Sequence, residues 1–299
     1  MIEPRSRRQF AELLARADET VDLAEAALLI ACEEYPDLDV PAYLARLEAM
    51  AGELRERLAE EPRPERAVMA LNRYLFQEQG FHGNTESYYD PRNSYLNDVL
   101  DRRTGIPITL STVYMEVARR AGLDVEGVGL PGHFVVRVNV PAGYRNAAAA
   151  SAMRAPGVSM PWGRGVLIDP FHCGALLSEQ ECQERLDRIF GGRVKMEARM
   201  LTGCGPREII ERMLRNLEAI HVKDEDFPRA IRAVDLLLRV NPESAEDLRD
   251  RGALYAAVDC YGLAARDLEA YLALAPRAPE AEELRARIAA LRQKASRLN

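Results

Sequence analysis

The feature that most constrains the fold is a change of apolar period at Gly122. Before it, apolar residues recur at helical spacing: Leu44, Leu47, Met50, Ala51 and Leu54 in one segment, Leu110, Val113, Tyr114, Val117 and Ala118 in another. After it, residues 125–128, 134–140 and 166–169 read as strands. Helices repeat about every 3.6 residues and strands every two, so the switch separates two kinds of element. Helices, then strands, then helices again predict an α+β chain with an antiparallel sheet.

The helical part begins at residues 21–34, rich in Ala, Leu and Ile, which are good helix formers. Pro41 suits a helix start, and that helix reads to about residue 59. Pro62 and Pro64 mark a break, and residues 67–79 read as the next helix, ended by Gly80. Residues 80–107 are polar, aromatic and turn-forming, with a short helix expected over 96–103. The helix expected over 109–121 stops at Gly122, a residue suited to a helix end. Residues 141–165 are low in complexity, with five Ala between 147 and 152, and read as a long mobile excursion between two strands. A helix is expected over 179–190, and a linker or final strand with turns over 191–206. This divides the chain into a helical region 1–66, a core 67–206 and a C-terminal helical part 207–299.

The C-terminal part repeats itself. A shift of 34 residues aligns Ala230 with Ala264, Arg232 with Arg266, Leu238 with Leu272, Pro242 with Pro276 and Glu246 with Glu280. A helix–turn–helix unit of that period resembles the tetratricopeptide repeat. The units are 211–244 and 245–278. In the second, Gly252 and Ala264 are the small residues that let paired helices approach, and Tyr255 packs between them. In the first, Glu218 and His221 replace the expected Gly and Tyr. A last helix, about 279–296, would cap the stack.

Composition excludes several classes. The net charge of −7 argues against a nucleic-acid binder. No apolar run has the length of a membrane span, and the N-terminus carries no apolar leader. Five widely spaced Cys without a CxxC pair argue against a disulfide framework or structural zinc. A cytoplasmic protein without cofactor is expected.

The candidate chemistry centres on His133, at the start of one strand, and Asp169, at the end of the next. An imidazole oriented by a carboxylate is the base half of a nucleophilic site. Asp169-Pro170 equally fits a plain strand end, since both are turn formers. His172 and Cys173 follow closely, but with His133 and Asp169 they match no metal-ligand spacing, so no metal is expected. Thr109 and Ser111 offer hydroxyls in the first turn of a helix, where they also serve as capping groups. Asn84, Tyr88 and Asn93 fit either the rim of a binding groove or a loop that satisfies its own backbone.

Five segments together resemble a bacterial SirB-type family, a transglutaminase-like core followed by tetratricopeptide repeats. They are Leu28-Leu29-Ile30-Ala31 with Tyr35-Pro36-Asp37-Leu38-Asp39; Gly80-Phe81-His82-Gly83-Asn84 with Tyr89-Asp90-Pro91-Arg92-Asn93-Ser94; Gly105-Ile106-Pro107-Ile108-Thr109-Leu110-Ser111; Pro131-Gly132-His133-Phe134; and Ile168-Asp169-Pro170-Phe171. The resemblance implies a papain/transglutaminase-like core of one helix on an antiparallel sheet. It aligns His133 and Asp169 with the superfamily His and Asp. It places Pro107 where the superfamily carries its Cys nucleophile, at a helix N-terminus that would favour a thiolate.

The expected function is therefore non-catalytic. The chain reads as a protein- or peptide-binding protein on a transglutaminase-like pseudoenzyme core, with its repeats as the partner surface. The alternative is a hydrolase or acyltransferase using His133 and Asp169 with Ser111, Thr109 or an activated water. A metal-dependent site on His133, Asp169 and His172 is the third option.

Overall fold

The structure, a computed structural model, describes residues 4–59, 64–139 and 165–298. The excursion expected over 141–165 falls, but for Gly165, outside these residues. The chain forms two compact units: Asp18–Ile209, and Met1–Ala17 with Ile210–Asn299.

The larger unit begins with helices α2 (Leu23–Ala31), α3 (Val40–Ala59) and α4 (Pro64–Asn72), the helix α1 (Arg5–Leu14) belonging to the other unit. Asp22 caps α2, accepting the Glu25 N–H at 2.9 Å. The helix expected over 67–79 instead widens to a π-helical turn at Arg73–Glu78. Tyr74 and Leu75, adjacent in sequence, are both buried there. Residues 80–105 hold two short strands, β1 (His82–Gly83) and β2 (Thr104–Gly105), paired in parallel around α5 (Leu96–Arg102). Two-residue strands have no period to read in a sequence.

The centre of the unit is α6 (Pro107–Arg120), buried from Pro107 to Ala118. Pro107 occupies its first turn, where a missing N–H costs nothing. Thr109 Oγ1 accepts the Ile106 N–H at 3.1 Å and donates to Asn93 O at 2.7 Å, tying the helix start to the preceding loop. The helix packs on β3 (Val125–Val128) and β4 (Val135–Asn139). These strands lie in an antiparallel sheet with β5 (Gly165–Asp169), β6 (Ala175–Leu177) and β7 (Gly203–Cys204), in the order β6-β5-β4-β3-β7. The final strand anticipated within 191–206 is β7, on the edge beside β3. Val128, Val135, Leu167 and Leu177 form one cluster with Cys182 of α7 (Glu179–Phe190) and Leu201. Cover on both faces explains why every residue of β5 is buried. Across β3 and β4, buried Arg137 faces Glu126 in register and donates to it at 2.6 Å.

The smaller unit holds α1, the end of α8 (Pro206–Lys223), and α9 (Phe227–Val240), α10 (Ala245–Ala257), α11 (Tyr261–Leu274) and α12 (Ala281–Leu298). The helix pairs follow the 34-residue repeat, and α12 packs on α11 as the expected final helix. Helix α1 packs on α9; nothing in its sequence announces that partner. A Cβ at Gly252 would lie 2.9 Å from Leu268 Cγ and 3.3 Å from Ala264 O, so the α10–α11 approach requires a glycine. Gly252→Val is expected to destabilise this unit by about 1–3 kcal/mol through overpacking, and Gly252→Ala by less. Thermal unfolding followed by circular dichroism measures it, and a neutral Gly252→Val would contradict the close approach.

Among the described residues, no helix is long and apolar enough to cross a membrane. None of the five cysteines forms a disulfide.

Candidate functional site

Strand β5 ends at Asp169, which is fully buried. Its Oδ1 accepts the N–H groups of Phe171 and His172 at 3.1 and 3.3 Å, folding the chain into a one-turn helix after the strand. Its Oδ2 takes the cations and imidazoles. His133 Nε2 lies at 2.9 Å, His172 Nδ1 at 2.7 Å and Arg185 Nη1 at 2.6 Å. Burial alone would raise the Asp169 pKa. The His133 hydrogen bond and the electrostatic pull of His133, Arg185 and His172 overcome it and bring the carboxyl from 3.8 down to about 2. Asp169 is thus a carboxylate at neutral pH, with every neighbour donating to it.

His133 follows the turn at Gly132 and precedes β4, and its ring stands edge-on to Phe171 at 6.4 Å between centroids. Arg185 comes from α7, whose start is fixed by a capping box. Ser178 Oγ accepts the Glu181 N–H at 3.2 Å, and Glu181 accepts the Ser178 N–H at 2.7 Å. The turn that carries His172 is held from behind: Asn72 donates to Gly174 O at 2.8 Å and accepts from the Tyr114 hydroxyl at 3.0 Å.

These residues open on a cleft of about 420 Å³. Pro107 and Gly132 lie in its lining beside His133, with aromatic walls from Tyr88 and Phe171. Those two rings meet edge-on at 6.1 Å. Helix α7 contributes Arg185, Arg188 and Ile189.

The sequence candidates divide between the cleft and its supports. His133, Tyr88 and Pro107 line it, and Asp169 lies directly behind. Ser111 is fully buried, with Oγ 3.5 Å from Phe134 O, and Thr109 is fully buried in the cap already described. Asn93 is buried too. It donates to Ser87 O at 2.8 Å and Tyr88 O at 3.2 Å, and accepts from Asn84 at 3.1 Å. Asn84 in turn accepts the Ser87 N–H at 2.8 Å. The two asparagines thus shape the loop that presents Tyr88.

The arginine is what sequence reasoning missed. Arg185, Arg188 and Ile189 fall at i, i+3 and i+4, one face of a helix. That face was legible, but what it faces was not, because α7 meets His133 only through the tertiary fold.

His133, Asp169 and His172 have ligand atoms within 4.8 Å of one another, the minimum for a three-residue metal site. Arg185 Nη1 stands 2.6 Å from Asp169 Oδ2 and 3.0 Å from His133 Nε2. A metal ion at those two atoms would press against a guanidinium, so the donor set does not fit one without moving Arg185.

A profile of the transglutaminase-like superfamily matches residues 41–215, and one of the tetratricopeptide repeat matches 217–289. A UPF0162 protein of Xylella fastidiosa is 39% identical over 262 residues, 87% of this chain and 86% of its own. A UPF0162 protein of Pseudomonas aeruginosa is 30% identical over 281 residues, 94% of this chain and 95% of its own. F-box only protein 21 of Mus musculus is 29% identical over 189 residues, 62% of this chain but 27% of that protein.

Proposed function

We propose, from the premise that this chain belongs to the UPF0162 family and joins a transglutaminase-like core to tetratricopeptide repeats, that it binds a protein or peptide without transforming it. The observation that carries the reading is Pro107, which lines the cleft beside His133 at the first turn of α6. The superfamily resemblance puts a thiol at that place. A prolyl ring carries no nucleophile and no transferable proton. The hydroxyls further along α6 support the same reading, since Thr109 donates to Asn93 O and Ser111 faces Phe134 O. What the cleft offers is recognition: aromatic faces, an aliphatic wall and guanidinium groups.

The repeats form the second surface of this reading. A groove of about 330 Å³ runs between α10, α11 and α12, with Tyr261, Leu291 and Lys294 in its lining. Stacked helix pairs suit an extended peptide or a helix. Five cysteines without a disulfide suit a reducing cytoplasm, and the net charge of −7 disfavours nucleic acid as the partner.

A second reading follows from the 2.9 Å bond between His133 and Asp169, the base and orienting carboxylate of a hydrolase that would activate water. Incubation of the full chain with a mixed peptide pool, followed by capture and mass spectrometry, separates the two. Retained peptides should leave with unchanged masses, and Tyr88→Ala or Tyr261→Ala should weaken retention about tenfold, the effect of about 1.4 kcal/mol. Time-dependent cleavage or acyl transfer that disappears in His133→Ala would replace the binding reading with the hydrolase.

A further inference from the structure

The charge around the cleft is lopsided. Among the described residues that line it, none is acidic, while Arg185 and Arg188 both reach it. The carboxylate behind it, Asp169, is fully buried, and both its oxygens already accept from protein groups. Glu181, one helical turn before Arg185, is engaged in the Ser178 cap. Within the lining itself the guanidiniums of Arg185 and Arg188 meet no carboxylate.

The cations retain capacity to bind. A guanidinium has five N–H donors. Arg185 turns Nη1 toward Asp169 and His133, which leaves its other nitrogens for a ligand. Arg188 is exposed and spends Nε on Glu184 O at 3.4 Å, leaving its planar fork for an anion. Around these groups the walls are apolar. Ile189 is 50% exposed, the Phe171 ring stands edge-on to the imidazole, and the Tyr88 ring meets Phe171.

We infer that the cleft takes a carboxylate joined to an apolar body, presented as the C-terminal acid of a peptide. A lining with guanidiniums and no acid suits a carboxylate, and the fork of Arg188 can meet it through both oxygens. The aromatic and aliphatic walls hold the last side chain. A volume of about 420 Å³ lies in the range of about 300–1,000 Å³ usual for small ligands. This inference rests on the binding reading and names its ligand.

The test titrates the full chain with four probes: N-acetyl-leucyl-phenylalanine as free acid, the same dipeptide as C-terminal amide, isovaleric acid, and inorganic phosphate. Calorimetry gives the affinities, and the His133 and His172 ring resonances report the place. The free acid is expected to bind at least about tenfold tighter than the amide, a difference of about 1.4 kcal/mol. Arg188→Gln should bring the acid down to the amide's affinity while leaving the amide unchanged. Arg188 is exposed, so this variant should fold, and circular dichroism checks it. Equal affinity for acid and amide, or no binding of either at millimolar concentration, overturns the inference. Isovaleric acid or phosphate binding as tightly as the dipeptide acid overturns the peptide terminus as the source. Hydrolysis of either dipeptide during the titration would count against binding without turnover, and the acid–amide comparison would still stand or fall on its own.

Discussion

Replacing Asp169 with Asn is expected to lower the melting temperature of the core unit by about 10 °C. Asp169 accepts from His133, His172 and Arg185 through one oxygen and from two backbone N–H groups through the other, with no exposure to water. An amide in its place either points a donor at those donors or leaves the backbone groups unpaired. It also strips the counter-charge from a partly buried guanidinium. Removing one partner of such a pair costs about 3–5 kcal/mol, and each kcal/mol moves the melting point of a unit of this size by about 2–4 °C.

The effect has a pH signature. Asp169 is held below its ordinary value, at about 2 against 3.8, so it stabilises the fold most above about pH 4. That stabilisation disappears as the pH falls toward 2. The gap of nearly two pH units corresponds to about 2 kcal/mol. Melting curves of the wild type and Asp169→Asn should therefore converge as the pH is lowered from 7 to 2.5. Parallel curves across that range would mean that the carboxylate is not engaged as described.

The second large effect is expected in the repeats. Arg251 on α10 binds Asp267 of α11 through Nε and Nη2, at 2.7 and 2.9 Å, and Asp235 of α9 through Nη1 at 2.8 Å. Arg7 of α1 closes the group on Asp235 at 3.2 Å. Burial opposes the Arg251 charge, but the two carboxylates more than compensate and hold its pKa above the ordinary value. Arg251→Ala leaves Asp267, 5% exposed, without its arginine, and leaves Asp235 with Arg7 alone. About 3–5 kcal/mol should be lost, and hydrogen exchange of α10 and α11 should accelerate together. Arg251→Lys keeps the charge but not the fork, and should fall between the two. A loss under about 1 kcal/mol would place the pairs in the class of solvent-screened surface bridges.

How far the sequence carries these features depends on the length of the pattern that encodes them. The helices α6 and α7, the strands β3 and β5, and the 34-residue repeat each extend over enough residues to show a period. The π-helical turn at Arg73–Glu78 and the pair β1 and β2 do not, since a π turn continues the apolar pattern of a helix and two residues show no period. At the site, His133 and Asp169 stood out because each lies at a strand end with turn formers beside it. Arg185 did not, because its meaning depends on where α7 packs. Asn84 and Asn93 were ambiguous in sequence, and the structure places both within the loop's own hydrogen bonds.

The central claim is that the cleft keeps the layout of an acyl-transfer site with a proline where the nucleophile would stand. Pro107→Cys tests it most directly. A thiol at the start of α6 beside His133 should form a thiolate readily, since a helix N-terminus and an imidazole both lower a thiol's pKa. Iodoacetamide labelling, followed by peptide mass mapping to separate position 107 from exposed Cys173 and Cys260, gives the rate. The account predicts alkylation at pH 6 that is about tenfold or more faster than at those two cysteines and that slows when His133→Ala is added. A thiol at 107 as sluggish as the other two, and indifferent to His133, would contradict it.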